Sequence, residues 1–261
     1  MQQSISMKKT FSFFTLAFLI TIQSFGWGAT GHRVTGHIAD QYLNAKARKK
    51  LALILGQESL AMASTWMDEI RSDSAYNYTT DWHYTTIPDG KRYEDVESNP
   101  DGKLVMMIEK IMKELGTGKL SQKQELEYLR MLIHMVGDIH QPLHVGKPGD
   151  KGANDIKLTW FGGNSNLHRV WDSEMIDDSK LSYTELAGFL PKPDAATVKK
   201  LQSASVRDWA MEDMTFRPQV YDIGNAKLGY VYTYKYFGIA KQRLLVAGIR
   251  LAGVLNSIYG K

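Results

Sequence analysis

Hydrophobic residues recur at intervals of three and four along most of the chain, which is the spacing of one face of an α-helix. This periodicity predicts helices over residues 31–55, 58–72, 101–115, 121–141, 168–177, 193–212 and 223–259. One strand-and-hairpin pattern occurs where Ile156 to Phe161 precedes Gly162-Gly163-Asn164. We therefore expect a mainly α fold with a small β-hairpin.

The first 26 residues have the pattern of a secretory signal peptide. Lys8 and Lys9 form a short basic region, and an almost wholly apolar run from Thr10 to Ile22 follows it. Small residues then occupy the positions that a signal peptidase inspects. We expect cleavage before Trp27, a secreted or periplasmic protein, and a mature domain over residues 27–261. An uncleaved anchor is the alternative, although the apolar run is short for a membrane span.

The overall composition is that of an ordinary globular protein. The 261 residues are 43% hydrophobic and 23% charged, and no linker-like tract divides them, so we expect one domain. The net charge of +4 is too small to indicate nucleic-acid binding from bulk charge. Because the chain has no cysteine, any metal ion must be bound by His, Asp, Glu or backbone groups.

Histidine and aspartate occur in two pairs with the same spacing. His134 and Asp138 are four residues apart, as are His168 and Asp172, so each pair shares one helix face. A single pair of this kind is more often a surface contact than a metal site, whereas two pairs on separate helices arise by chance only occasionally. His144 follows a helix-ending proline and adds a third imidazole to the cluster.

Three further residues carry the same chemistry but are uninformative individually. His32 and His83 could be ordinary buried histidines, and Asp68 could form a surface ion pair with Arg71. Together with the pairs they make five histidines and three aspartates, a nitrogen and oxygen ligand set that suits zinc in hydrolytic sites. Eight side chains exceed the needs of one ion and allow a multinuclear centre if carboxylates bridge.

The order and spacing of these residues resemble the zinc-dependent S1/P1 nucleases, whose fold is shared with bacterial zinc-dependent phospholipase C. The matching segments are Trp27-Gly-Ala-Thr-Gly-His32, Ala63-Ser-Thr-Trp-Met-Asp68-Glu-Ile-Arg71, Trp82-His83-Tyr84, His134-Met-Val-Gly-Asp138-Ile-His-Gln-Pro-Leu-His144 and Asn166-Leu-His168-Arg-Val-Trp-Asp172. The resemblance covers most of the chain after residue 26. It implies a single-domain, multi-helix fold of the phospholipase C/nuclease type.

The resemblance also implies three Zn²⁺ ions per chain. The residues that would bind the first two ions are Asp68, His83, His134 and Asp138 for one, and His144, His168 and Asp172 for the other. The third ion would be bound by bridging Asp138, by His32, and by the amino nitrogen and carbonyl oxygen of Trp27. Because an amide nitrogen has no free lone pair for a metal, this site requires cleavage directly before Trp27.

The activity implied by the resemblance is cleavage of single-stranded DNA and RNA to 5′-phosphate products, with 3′-nucleotidase activity, by attack of zinc-activated hydroxide. Asp68 and Asp138 would act catalytically through the metals, and Arg71 would stabilise charge on the phosphoryl oxygens. Tyr84 would stack on an unpaired base. Asn154 would contact base or phosphate, and a loop-stabilising asparagine is the alternative.

Two positions depart from the family pattern. Thr86 stands where some members have an acidic or amide residue that hydrogen-bonds the base, which leaves base preference open. Ala153 stands where relatives often have glycine, which could reshape the loop near the metals. His37 and His140 belong to neither ligand set, and we exclude both from the site.

Two other functions are compatible with the same ligand set. A phospholipase C would use similar metal chemistry on a phospholipid head group, since shared metal chemistry does not determine the substrate class. A catalytically silent zinc-binding protein would contain the metal and turn nothing over. The resemblance implies single-stranded DNA, RNA and 3′-nucleotides as substrates, no stable protein partner, and a monomer.

Overall fold

Helices account for most of the structure, a computed structural model that describes residues 27–98 and 100–261. The α-helices in that part are α1 (Ala29–Gln41), α2 (Ala45–Leu55), α3 (Leu60–Ala63), α4 (Trp66–Glu69), α5 (Leu104–Gly116), α6 (Gln122–Asp138), α7 (Leu167–Arg169), α8 (Met175–Asp177), α9 (Tyr183–Gly188), α10 (Ala195–Ser203), α11 (Val206–Met214), α12 (Arg217–Val220) and α13 (Tyr230–Tyr259). The expected mainly α class is confirmed. The predicted signal peptide, residues 1–26, lies outside the described residues.

Shorter helical turns supplement these helices. Segments of 3-10 helix cover Ile70–Ser72, Ser74–Trp82 and Tyr93–Asp95. A π-helical turn, Val170–Glu174, joins α7 to α8, so helical backbone is continuous across the predicted helix at 168–177. The π turn widens the helix at the aspartate of the second His-Asp pair, a local change that apolar periodicity does not reveal.

Several predicted helices are divided where a side chain starts a new helix. The prediction over 31–55 is wrong at its centre, because Asn44 accepts a hydrogen bond from the Ala47 amide at 2.8 Å and begins α2. The prediction over 193–212 is divided in the same way by the capping box of Ser205 and Asp208. The helix predicted from residue 223 begins only at Tyr230.

Two small sheets accompany the helices. Strand β1 (Thr85–Thr86) pairs in parallel with β2 (Val145–Gly146), with Thr85 opposite Val145. The predicted hairpin is present as β3 (Lys157–Trp160) and β4 (Gly163–Asn166), and β5 (Lys227–Leu228) adds to β3 in parallel. The periodicity predicted helix at β5, and this prediction is wrong. The strand forms by pairing with β3, which is distant in sequence, and local periodicity does not report such pairing.

The apolar side chains form two cores that share the long helix α13. The first core contains the buried faces of α5, α6 and α11, and the second contains α1, the hairpin and the α7–α8 region. Helix α6 meets α1 at the boundary between the cores. The buried last turns of α6 therefore place His134 and Asp138 inside the protein. None of the helices within the described ranges is long and apolar enough to cross a lipid bilayer.

Candidate metal centre

Imidazole nitrogens and carboxylate oxygens converge in three groups in which the candidate ligand atoms lie within 4.8 Å of one another. The His32 group consists of His32, His134 and Asp138. The His83 group consists of Asp68, His83 and His134. The His168 group consists of His144, His168 and Asp172. All eight side chains proposed as ligands from the sequence are thus brought together. Every one is buried except Asp68, which is 31% exposed.

Helix α6 supplies His134, which belongs to both the His32 group and the His83 group, and Asp138 of the His32 group. Its buried last two turns place His134 and Asp138 one above the other, with His134 Nε2 at 3.2 Å from Asp138 Oδ2. His134 Nδ1 lies 2.7 Å from the Ser64 carbonyl oxygen, which can only accept, so in the neutral ring Nδ1 carries the proton and Nε2 has the lone pair that a metal ion would use. The segment around Ser64 thereby orients a ligand on another helix.

The two oxygens of Asp138 face different groups. Oδ1 lies 3.2 Å from His32 Nε2, and Oδ2 lies 3.0 Å from His83 Nδ1. Asp68 Oδ1 approaches His134 Nε2 at 3.8 Å from the exposed side of the site. A carboxylate with one oxygen in each of two groups has the geometry of a bridging ligand.

The His168 group is assembled from two separate segments. His168 lies on α7 and Asp172 in the π turn, with His168 Nε2 at 2.9 Å from Asp172 Oδ2. His144 joins them after the end of α6, with Nε2 at 3.6 Å from Asp172 Oδ1. His168 Nδ1 donates to the Gly152 carbonyl at 2.6 Å, so a loop distant from α7 sets the ring orientation.

Gln141 orients this group, and sequence reasoning did not assign it a role. Its side chain is fully buried, and Nε2 donates to Asp172 Oδ1 at 2.5 Å. Its Oε1 accepts from the Leu143 amide at 2.6 Å. The position of Gln141 between Asp138 and His144 in the sequence was a signal that its side chain could contact a ligand. Which ligand it contacts depends on the fold.

The hydrogen bonding of the centre is incomplete in a way that fits bound cations. His32 Nε2 and Asp138 Oδ1 are 3.2 Å apart, and His168 Nε2 and Asp172 Oδ2 are 2.9 Å apart, yet none of these four buried atoms has a hydrogen-bond partner. Two ligands of a tetrahedral zinc ion are separated by about 3.3 Å. Buried polar atoms without partners are costly, and a cation between each pair would satisfy them.

The electrostatics of the centre favour positive charge. Burial lowers the pKa of His134, but the carboxylates of Asp138 and Asp68 outweigh it and raise the pKa to about 9. Burial likewise lowers the pKa of His144, and Asp138 and Asp172 raise it to about 9. Although burial raises the pKa of Asp138, His134 and His144 hold it well below its usual range. When no metal is bound, Asp138 therefore stays ionised and the neighbouring His134 and His144 hold protons at neutral pH.

Trp27 and His32 reach the centre through a close approach of α1 to α6. A side-chain carbon at Gly137 would lie 2.8 Å from His32 Nδ1 and 3.9 Å from the ring of Trp27, which is fully buried. The Gly28 amide donates to the Asp172 carbonyl at 2.7 Å and ties this segment to the His168 group. The chain after residue 26 therefore begins beside the candidate ligands.

Arg71 lies at the exposed rim of the His83 group. Its Nη1 is 3.8 Å from Asp68 Oδ1, and both side chains are 31% exposed. The ion pair between Arg71 and Asp68 that the sequence suggested is therefore present. It lies next to the metal centre, because the same Asp68 oxygen is 3.8 Å from His134 Nε2. A guanidinium at this rim can contact an anionic group that approaches the metals from solvent.

A cavity of about 280 Å³ opens beside the His168 group. Tyr84, Thr86, Asp101 and Asn154 line it together with His144 and His168, among other residues. Tyr84 Oη donates to Asp101 Oδ1 at 3.4 Å, which holds the phenol ring at the wall. The cavity places an aromatic ring within reach of any ligand bound to the histidines.

Asn154 forms the loop-stabilising contact considered from the sequence, since its Nδ2 donates to the Lys151 carbonyl at 3.0 Å, and it also lines the cavity. The neighbouring Ala153 has φ +67°, the left-handed conformation that glycine adopts without strain and alanine adopts at a cost of roughly 1–2 kcal/mol. The loop therefore has a positive φ at the position where relatives often have glycine.

The two histidines excluded from the site lie outside the three groups. His140 is fully buried, and its Nε2 accepts from Arg250 Nη1 at 3.1 Å. Burial, with the positive charges of Arg243 and Arg250, holds the pKa of His140 well below its usual range. His37 packs edge-on against Tyr183.

Comparison with known proteins adds independent information. A family model described as S1/P1 Nuclease matches residues 27–260. Endonuclease 4 of Arabidopsis thaliana is 30% identical over an alignment of 272 positions, gaps included, that covers 89% of each chain. Nuclease P1 of Penicillium citrinum is 32% identical over 158 residues, which cover 57% of this chain and 58% of the fungal protein. The chain therefore belongs to the S1/P1 nuclease family, and it is a hydrolase that acts on phosphodiester bonds.

Proposed function

We propose that this protein is a zinc-dependent nuclease that cleaves single-stranded DNA and RNA to 5′-phosphate products and releases phosphate from 3′-nucleotides. The observation that carries the proposal is the pairing of buried ligand atoms at zinc-like separations without hydrogen bonds, as in His168 Nε2 and Asp172 Oδ2. The proposal includes three zinc ions, secretion after cleavage before Trp27, and a monomeric enzyme.

The residues of the three groups fit zinc in number and in chemistry. Imidazole nitrogen and carboxylate oxygen are zinc ligands of hydrolytic sites, and zinc supplies Lewis-acid activation of water near neutral pH. Asp138 would serve two ions, because its oxygens face different groups. The carbonyls of Ser64 and Gly152 hold His134 and His168 with the lone pairs of Nε2 directed into the centre.

The surroundings of the groups fit a nucleotide substrate. Arg71 at the rim would contact a phosphoryl oxygen, and its bidentate donors suit charge that develops during hydrolysis. The Tyr84 ring at the cavity wall would stack on a base. A base in a regular duplex is already stacked on its neighbours, so an unpaired base reaches this ring at a smaller energetic cost. This difference supports a preference for single strands.

A phospholipid substrate has less support from the same cavity. The ring of Tyr84 and the cations of Lys147 and Lys151 line the same cavity, a combination that suits a base joined to a phosphate. Family membership also favours nucleic acid over lipid. A silent zinc-binding protein would have no use for Arg71 beside a partly exposed carboxylate.

The proposal is tested with two forms of the protein, one beginning at Trp27 and one with a single additional residue before it. Both are loaded with zinc, their zinc content is measured, and hydrolysis of single-stranded and duplex DNA is compared. We expect three zinc ions and rapid single-strand cleavage only in the form that begins at Trp27. Equal activity in both forms would remove the terminal amine from the site. A fully loaded protein without cleavage would contradict the nuclease function.

A histidine pair on α1 supplies a matched control. His32→Asn removes a candidate ligand, whereas His37→Asn changes a histidine on the same helix that packs against Tyr183 outside the groups. We expect His32→Asn to lose zinc and activity and His37→Asn to retain both. Equal zinc content in the two variants would exclude His32 as a ligand.

A further inference from the structure

Arg217, at the start of α12, is a buried cation that belongs to none of the three ligand groups. Its side chain is 2% exposed, and all three guanidinium nitrogens donate hydrogen bonds. Nε and Nη2 donate to the Val145 carbonyl at 3.1 and 2.6 Å, and Nη2 also donates to the Gly146 carbonyl at 2.7 Å. Nη1 donates to the Ile87 carbonyl and to Asp89 Oδ1, each at 2.9 Å.

These acceptors lie on both strands of the parallel pair, or directly after them. Val145 and Gly146 form β2, and Ile87 directly follows β1. Each strand has only two residues, and the backbone hydrogen bonds at the ends of the pair are Thr85 amide to the His144 carbonyl at 2.8 Å and Ile87 amide to the Gly146 carbonyl at 3.1 Å. So short a ladder has little stability of its own. Arg217 therefore supplies a large part of the hydrogen bonding that fixes one strand against the other.

The two strands begin beside ligands of different groups. His83 precedes β1 and belongs to the His83 group, whereas His144 precedes β2 and belongs to the His168 group. His144 Nδ1 also donates to the His83 carbonyl at 2.6 Å. A slip of β2 along β1 would therefore move one group relative to the other and rotate the His144 ring.

The chemistry of arginine suits such a role. Its guanidinium is planar, has five donors in a fixed geometry and stays protonated at any physiological pH. Lysine carries the same charge but cannot span the carbonyls of Ile87, Val145 and Gly146 with a rigid fork. The charge alone would therefore not preserve the register of the strands.

We propose that Arg217 is a positioning residue that sets the spacing between the His83 and His168 groups by fixing β1 against β2. The proposal rests on the zinc-dependent function proposed above, because the spacing matters when both groups act on one phosphate. Misplacement of reacting groups by about 1 Å can lower a rate about a hundredfold. Arg217 would thus influence hydrolysis without touching substrate or metal.

The test compares Arg217→Lys with Arg243→Lys in the protein that begins at Trp27. Arg243 is also fully buried, but it pairs with Glu212 and Asp213, outside the ligand groups, so it controls for the loss of a buried guanidinium. We expect kcat to fall about tenfold to a hundredfold in Arg217→Lys, with zinc content retained and the absorption spectrum of the cobalt-substituted protein altered. Arg243→Lys should lower only the melting temperature.

Wild-type kcat and an unchanged cobalt spectrum in folded Arg217→Lys would overturn the proposal. If the wild-type protein itself neither binds zinc nor cleaves nucleic acid, the proposed function fails separately. The NMR signal of the His144 Nδ1 proton in metal-free protein then decides the positioning role, since it reports the bond to the His83 carbonyl. A shifted signal in Arg217→Lys supports the role, and an unchanged signal overturns it.

A second variant keeps the test decisive if Arg217→Lys does not fold. Asp89 is 66% exposed, and its carboxylate accepts a hydrogen bond from Arg217 Nη1. Asp89→Asn therefore weakens one hydrogen bond of the guanidinium with little risk to the core. We expect a smaller fall in kcat with the same change in the cobalt spectrum. Unchanged kcat and spectrum in Asp89→Asn would overturn the proposal.

Discussion

Two buried polar regions of this protein balance their charges in different ways. In the ligand groups, three carboxylates face imidazoles that are neutral unless protonated. Between α11 and α13, in contrast, two guanidiniums face two carboxylates. Arg243 Nη2 lies 2.5 Å from Asp213 Oδ1, and Arg250 Nη2 donates to Glu212 Oε2 at 2.5 Å. The second region, called here the arginine network, provides one carboxyl group for each guanidinium, and burial raises the pKa of one of these carboxyls, Asp213, to about 7.

The difference shows what each region requires from outside the chain. Transfer of charge into a protein interior is costly unless an opposite charge lies nearby. The arginine network contains its own counter-charges and needs no ligand. The three ligand groups contain three carboxylates and no guanidinium or ammonium group, so they need cations or protons. Substitutions in the two regions should therefore differ in kind.

The largest expected effect is that of Asp138→Asn. Because Asp138 faces two groups, loss of its charge should weaken metal binding in both and reduce kcat about a hundredfold to a thousandfold. Hydrolysis of single-stranded DNA and zinc content measure the effect, with circular dichroism to show that the variant is folded. Full activity in the folded variant would exclude Asp138 from the mechanism.

A smaller effect is expected for Gln141→Leu, which removes a residue that contacts a candidate ligand. Without the hydrogen bond to Asp172 Oδ1, the carboxylate is less well oriented, and zinc affinity should fall about tenfold to a hundredfold. Competition with a chromophoric chelator measures the affinity. Gln202→Leu is the control, because Gln202 donates to the Ile249 carbonyl away from the groups. Equal affinities in both variants would contradict the role of Gln141.

Asp213→Asn should affect stability and leave metal binding intact. The variant leaves Arg243 short of a counter-charge in the interior, at a cost of about 3 kcal/mol. For a protein of this size, that cost lowers the melting temperature by about 6–12 °C. Calorimetry measures the change, and the zinc content should equal that of the wild type. Loss of zinc in this variant would show that the two regions are not independent.

The smallest effect is a proton linkage in the ligand groups. Because the pKa values of His134 and His144 are each raised to about 9 in metal-free protein, zinc binding at pH 7.5 should release about two protons. Calorimetry in buffers of different ionisation enthalpy measures this release. The part of the release that comes from these two histidines should fall to about one proton at pH 9 and approach zero above about pH 10. A release that does not change with pH would contradict the protonated state of these histidines.

The same shifts determine how the stability of metal-free protein depends on pH. A histidine whose pKa is higher in the folded than in the unfolded state stabilises the fold below its unfolded pKa, and this contribution is lost as pH rises through the folded pKa. The melting temperature of metal-free protein should therefore fall between pH 6.5 and pH 9. A rising melting temperature in this window would contradict the shifts.

Apolar spacing predicted the helical class and the hairpin, because both depend on interactions between residues close in sequence. It did not reveal the break at Asn44, where a capping hydrogen bond starts a new helix. It also placed helix where β5 pairs with β3, a contact between residues about seventy positions apart. Local patterns predict helices and hairpins well, but they do not report pairing between distant segments.

The candidate ligands were identifiable from residue type, spacing and family resemblance, since these properties belong to the sequence itself. Only the tertiary structure showed that His134 reaches two groups, that Gln141 orients Asp172, and that Arg217 joins the strands beside His83 and His144. Each of these contacts joins segments that are separated in sequence or depends on which way a side chain points after packing. Distance in space is set by the packing of the two cores, and no local pattern of residues encodes it.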